Sequence, residues 1–237
     1  MKENVAVASK AVVILSGGMD STTVLYDVVR TFGSNNVDAI SFHYGQNHSK
    51  ELGLAKKTCE KLGVAHKLVD VSFLGKELLF ASTLVSGAEA IPEGHYAEEN
   101  MKSTVVPNRN MILISLAAGF AISIGAKHLY YGAHAGDHAI YPDCRPEFVK
   151  AMKSVLKLAD WSEVELHAPY LEKDKGDIAI LGKELGVDYS LTWTCYKGEE
   201  EACGVCGSCT ERLEAFEKAE AVDPIKYKNN VNIKGVE

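Results

Sequence analysis

What this chain has little of narrows its function first. It has no excess of positive charge: 25 Lys and Arg stand against 32 Asp and Glu, a formal net charge of −7. The basic footprint of a nucleic-acid-binding protein is therefore missing, and no direct nucleic-acid partner is expected. It also has no run of the ~18 apolar residues that a membrane helix needs. The nearest, Met111 to Ala126, is broken by Ser115, Gly119, Ser123 and Gly125 and is expected to be a core helix. The first residues, MKENVAVASK, carry neither the apolar stretch nor the cleavage site of a signal peptide, so a cytoplasmic location is expected. Hydrophobic residues at 46% and charged residues at 24% exclude disorder and collagen-like repeats. Cysteine is scarce as well. There are six, too few for a disulfide scaffold, and four crowd into Cys195–Cys209, which points to metal binding in a reducing compartment.

At about 150 residues per domain, 237 residues make one large domain or one domain with a small appendage. The apolar run Ala11 to Leu15 predicts a buried parallel strand ending at Ser16-Gly17-Gly18. A helix from Asp20 to Gly33, a strand over 38–42, a helix over 47–62 and a strand over 66–71 follow. That alternation predicts a parallel sheet with right-handed crossovers. Residues 73–107 are a long, partly irregular connection. Regular structure resumes with a helix over 108–125, a strand over 127–132, an amphipathic helix over 146–158 and a short helix over 177–185. Past Ser190 the composition shifts to cysteine, glycine and glutamate.

The turn L-S-G-G-M-D-S joins strand to helix. Its glycines allow close backbone approach to a ligand, and the following helix N-terminus favours an anion. Ser16, Ser21 and Thr22 add hydroxyl donors. It is neither a Walker A loop nor GxGxxG. The segment resembles the PP-loop of the ATP pyrophosphatases, which cleave ATP between the α- and β-phosphates. The resemblance implies an adenine-nucleotide α-hydrolase-like fold, with Asp20 holding Mg²⁺ or orienting a phosphate.

Cys195-x7-Cys203-x2-Cys206-x2-Cys209 can converge on one tetrahedral ion, with Gly204 and Gly207 allowing the tight turns. An iron–sulfur cluster is the competitor, but the Cys-Pro that would continue a ferredoxin-type run is absent. Four available ligands favour a closed structural zinc site. Cys59 is expected in the core.

Residues 133–147 follow a strand on the side where open α/β sheets bind ligands. They include His134, Asp137, His138, Tyr141, Asp143, Cys144 and Arg145. Cys144 is either a nucleophile or packed under the loop. YPDCR at 141–145, with HYGQ at 43–46, VPNRN at 106–110, CYKG at 195–198, the glycine turn and the four cysteines, closely resembles the 7-cyano-7-deazaguanine synthases of queuosine biosynthesis. Those motifs span almost the whole chain. Where the family often has Gly-Arg-Asn, this chain has Asn108-Arg109-Asn110, and residues 133–140 also depart from the usual stretch.

The resemblance implies a PP-loop ATP-binding domain over 8–190 and a small zinc module over 191–222. It implies an ATP-dependent ligase that joins ammonia to 7-carboxy-7-deazaguanine and carries the amide on to the nitrile through two adenylations. Leu15, Ser16, Gly17, Gly18, Met19, Asp20, Ser21, Thr22, Thr23, Val24 and Leu25 would bind ATP with Mg²⁺. Asp20, Ser21, Lys175 and Arg109 would be catalytic, and Tyr44, Gln46, Asp137, Tyr141, Asp143 and Arg145 would meet the substrate. A homodimer is expected, and Ser115, Gly119 and Ser123 recur at a spacing that suits either close helix packing or the sheet. The alternatives are a PP-loop tRNA-modifying enzyme, a ligase joining the deazaguanine carboxylate to another amine, and a zinc-knuckle binding module on a degenerate nucleotide fold.

Overall fold

The run AVVI forms β1 (Ala11–Ile14), the middle strand of the sheet. Its side chains alternate between two buried clusters, Ala11 and Val13 to one and Val12 to the other, as the two-residue period of a strand dictates. A strand covered on both faces has no polar side, hence its continuous apolar sequence. The computed structural model describes residues 9–46, 50–79, 81–86, 93, 95–96, 99–197 and 200–228.

After β1 come α1 (Met19–Phe32), β2 (Val37–His43), α2 (Lys50–Leu62), β3 (Ala65–Asp70), the short α3 (Ser72–Glu77) and α4 (Thr83–Ser86), and α5 (Arg109–Ser123). Then follow β4 (His128–Tyr130), α6 (Pro146–Ala159), β5 (Glu165–His167), α7 (Lys175–Leu185) and α8 (Gly207–Lys218). The five strands pair in parallel in the order β3-β2-β1-β4-β5. Helices α1, α2 and α7 cover one face through Val24, Leu25, Val28, Ala55, Cys59 and Ile178. Helices α5 and α6 cover the other through Leu113, Ile114, Ala117, Ala118, Val149, Met152 and Leu156. This is the α/β fold expected, a parallel sheet flanked by helices.

Besides the short α3 and α4, which fall at or within the stretch expected to be partly irregular, two elements have no counterpart in the sequence reading. β5 is a three-residue edge strand, and α8 starts inside the cysteine cluster. The expected helix over 47–62 begins at Lys50, residues 47–49 lying outside the described residues, as do residue 8 and Gly198 of CYKG. Within 73–107 the described residues include α4 and a 3-10 turn, Glu99–Thr104. The last sheet-packing helix starts two residues earlier than expected. Asp174 accepts from the Asp177 amide (2.9 Å) while the Asp177 carboxylate accepts from the Asp174 amide (3.2 Å), a reciprocal cap that sets Lys175 on the first turn of α7.

By length and composition the helical stretch Asn100–Ser123 is apolar enough to cross a membrane. One stripe of α5 is instead part of the core, as above. Ser115, Gly119 and Ser123 do not face the sheet; all three are exposed.

Candidate active site

The strand order reverses between β1 and β4, and the crevice outside the carboxyl ends of such strands is where open sheets bind ligands. One loop leaves β1 there and another leaves β4. The first is folded around two hydroxyls: Ser16 Oγ and Ser21 Oγ lie 2.9 Å apart, the Ser16 amide donates to Ser21 Oγ (3.2 Å) and the Gly18 amide to Ser16 Oγ (3.2 Å). Gly17 has φ +89°, and a Cβ there would run into the backbone carbonyl of Glu51. No side chain caps the N-terminus of α1, whose Ncap is Gly18, so its first amides stay open to an anion.

Opposite that N-terminus sits a cluster of charge. Lys175 Nζ pairs with the carboxylate of Glu211 and lies 3.5 Å from Asp20 Oδ2. His134, 1% exposed, has its Nε2 3.4 Å from Asp137 Oδ2 and 3.7 Å from Asp20 Oδ2. Burial alone would lower the lysine pKa, but the Asp20, Glu211 and Asp137 charges outweigh it and hold Lys175 above its ordinary value as an ammonium. Burial raises the Glu211 carboxyl, against the pull of Lys175 and His134. Asp20 Oδ1, Thr22 Oγ1 and His134 Nδ1 are buried without a protein partner. Orphaned oxygens beside open helix amides and a fixed ammonium fit a polyphosphate with its divalent cation.

The crevice continues to a second region lined by Phe42, Tyr44, Gln46, Glu51, Arg109, Tyr141 and Tyr196. Gln46 is pinned there: its Oε1 accepts from the Tyr44 amide (2.9 Å) and its Nε2 donates to the Phe42 carbonyl (3.3 Å). The same Nε2 lies 3.5 Å from Glu51 Oε1. Burial raises Glu51 to about 7, despite the Gln46 hydrogen bond and the Arg109 charge. The guanidinium of Arg109 sits 6.0 Å from the centre of the Tyr44 ring. The Tyr141 hydroxyl lies 2.8 Å from Thr104 Oγ1 and 3.2 Å from the Tyr196 hydroxyl. Asn108 occupies the left-handed region (φ 58°, ψ 17°) just before α5, which accounts for the glycine that the resemblance finds at that position elsewhere.

Of the residues expected to bind ATP or substrate, Leu15, Ser16, Gly18, Asp20, Ser21, Tyr44, Gln46, Arg109, Asp137, Tyr141 and Lys175 line this crevice. Others lie elsewhere. Met19 packs against Ala179, Tyr189 and Phe216, Val24 and Leu25 are in the core, and Thr23 bonds the Met19 carbonyl and the Tyr189 hydroxyl (both 2.9 Å). Asp143 accepts from the Asn110 amide (2.9 Å) at the start of α5, and Arg145 is exposed with its Nε donating to the His138 carbonyl (2.8 Å). Neither lines the crevice. Cys144 does, but it is buried, its thiol pushed far up by burial and by the Asp137 charge, as suits packing rather than nucleophilic attack. Glu51 and Glu211 are acidic side chains of the crevice that the sequence reading does not single out, and His134 is named there only as part of the 133–147 loop. Glu211 belongs to α8, two residues beyond Cys209, and nothing local in the sequence ties it to the glycine turn.

The sulfurs of Cys195, Cys203, Cys206 and Cys209 lie within 4.8 Å of one another, all buried. Cys203 Sγ and Cys209 Sγ are 3.9 Å apart, close to the ~3.8 Å edge of a tetrahedron with ~2.3 Å metal–sulfur bonds. The amides of Val205 and Cys206 point at Cys203 Sγ (3.5 and 3.4 Å) and that of Cys203 at Cys195 Sγ (3.4 Å), an arrangement that suits sulfurs bound to a metal. The set fits one metal ion. A multi-iron cluster, with sulfides between the thiolates, would hold them further apart.

Residues 10–220 match the family model described as queuosine biosynthesis protein QueC. The chain is 59% identical over 218 residues to the 7-cyano-7-deazaguanine synthase of Methanoregula boonei, covering 92% of this chain and 99% of that one. It is 58% identical over 223 residues to the synthase of Caldicellulosiruptor bescii, covering 94% and 99%. Among solved structures, the NMN synthetase of Francisella tularensis is similar with a TM-score of 0.50 at 12% identity, covering 90% of this chain and 76% of that one, a likeness of fold alone. With a matched family model over nearly its whole length and relatives well above half identical, the chain belongs to the QueC family of queuosine biosynthesis proteins.

Proposed function

We infer that the chain is an ATP-dependent ligase that converts 7-carboxy-7-deazaguanine and ammonia into 7-cyano-7-deazaguanine, the product for which its relatives are named. The observation that carries this is the pairing of an uncapped helix N-terminus, flanked by Asp20 and Lys175, with a tyrosine- and arginine-lined region in one crevice. An ATP site and a planar, anionic heterocycle site then share one mouth. MgATP turns each substrate oxygen into part of AMP, which makes a poor leaving group a good one. The chain supplies position and charge. Loop amides and Lys175 hold the phosphates, Asp20 serves the cation, and Ser16 and Ser21 keep the loop in shape.

In the second region Arg109 pairs with the substrate carboxylate, and Tyr44, Tyr141 and Tyr196 pack on the ring. Both carboxylate oxygens leave, one per round, and the attacking ammonia gives up all its hydrogens as protons. Glu51, with its carboxyl near neutrality, accepts protons from nitrogen in each round. Ammonia comes from solution or from a partner. The four cysteines hold one structural zinc per chain, in a module over 191–222 beside an ATP-binding domain over 8–190. We place the enzyme in the cytoplasm, as a homodimer. The outward face of α5 suits a second copy: Met111 and Leu116 are exposed there, and no neighbouring element packs over Gly119.

Limiting ATP tests the reading. The amide should accumulate, and supplied amide should pass to nitrile with AMP release, as resolved by mass spectrometry. A product that stops at amide, or carries a larger amine, would favour the conjugating ligase instead.

A further inference from the structure

β4 and β5 pair at the edge of the sheet, with His128 opposite Glu165 and Tyr130 opposite His167. The two-residue period places all four side chains on one face of the pair. His128 Nδ1 lies 3.1 Å from His167 Nε2. Glu165 Oε2 lies 3.6 Å from His167 Nε2 and 4.0 Å from His128 Nδ1. In the plane of these three atoms one point is equidistant from all of them. It lies about 2.1 Å from each, inside the ~2.0–2.2 Å range of zinc–imidazole and zinc–carboxylate bonds. Among the described residues, only this trio and the cysteine cluster bring three such donor atoms within 4.8 Å of one another.

The rings are held before any ligand arrives. His167 stacks on Tyr130 with centroids 4.5 Å apart and planes 16° apart, and His128 packs against Phe32 of α1 at 5.3 Å. Their side chains are 26% and 25% exposed and that of Glu165 is 58% exposed, so one side is open to solvent. We propose that His128, Glu165 and His167 form a second metal site that takes an exchangeable divalent transition-metal ion. Two imidazoles and one carboxylate suit zinc, cobalt, nickel or copper rather than Mg²⁺ or Ca²⁺, which prefer all-oxygen sets. Three protein donors leave a position for water, unlike the closed four-thiolate set. The site is separate from the crevice and does not depend on the proposed reaction.

The test uses the full chain with its cysteine site filled by zinc, titrated with Co²⁺ and in parallel with Ni²⁺. One further equivalent should bind, and cobalt should develop weak d–d absorption without a thiolate charge-transfer band. His167→Gln and Glu165→Gln should weaken that equivalent at least tenfold, while His95→Gln, elsewhere on the surface, leaves it unchanged. Glu165 is exposed, so its variant decides the matter even where the histidine variant folds poorly. Absence of a second equivalent in the wild type would overturn the site and leave a plain imidazole–imidazole hydrogen bond. So would a second equivalent that survives both ligand substitutions.

Discussion

Glu211 of α8 clasps the ammonium of Lys175 on the first turn of α7, so the helix that starts inside the cysteine cluster reaches the same charge cluster as Asp20. The four-cysteine cluster and the glycine turn are thereby joined through one buried ion pair. Glu211→Gln should keep the metal and the fold and lower kcat/KM for ATP by roughly ten- to a hundredfold, the scale of a buried charge-assisted hydrogen bond. Metal analysis beside ATP-dependent kinetics checks this; loss of metal in the variant would point to a purely structural role.

Cys206→Ser should lose the metal and unfold the C-terminal segment. Metal binding and folding are linked there, and structural zinc contributes about 10–16 kcal/mol in peptide settings. Because α8 carries Glu211, activity should fall with metal content, and chelation of the wild type should reproduce the variant. Iron with visible absorption in the purified protein would refute zinc.

The pH profile should report Glu51. It accepts protons only as a carboxylate, so kcat/KM should rise with pH through about 7 and then level. Glu51→Gln should lose that acid limb and about 10²- to 10⁴-fold in rate. Stability runs the other way. Its pKa is raised above the ordinary 4.5, so the folded state holds a proton that the unfolded chain releases, and stability declines as pH rises from about 4.5 to 7. Thermal unfolding across that window should show the decline in the wild type and a flatter profile in the glutamine variant.

Asp20→Asn should abolish turnover without unfolding the protein. Its Oδ1 has no protein partner, so the loss belongs to the handling of phosphate and cation charge rather than to packing. Circular dichroism and pyrophosphate release separate the two. Near-normal release would mean that this carboxylate stands outside the nucleotide site.

What could be read from the sequence was local. The glycine turn, the apolar β1 and the cysteine spacing each sit within fifteen residues or fewer, and each has a physical reason to be close in sequence. Glu51 and Glu211 were not legible because they come to the crevice from α2 and α8, brought by packing that no short motif encodes. Asp143 and Arg145 illustrate the opposite. Beside Tyr141 they look like substrate contacts, yet Asp143 is occupied at the start of α5 and Arg145 by a backbone carbonyl. β5 escaped because three residues at a sheet edge leave almost no periodicity to detect.

Gly17 and the backbone of Glu51 meet beside the crevice. The loop that would grip the leaving group and the helix that would take up the proton touch main chain to main chain, with no side chain as a spacer. The separation between the loop and the main chain of Glu51 is therefore a property of the scaffold, and only the side-chain torsions of Glu51 adjust how far its carboxylate reaches. A side chain at position 17 would push the start of α2 off the loop and move Glu51 with it.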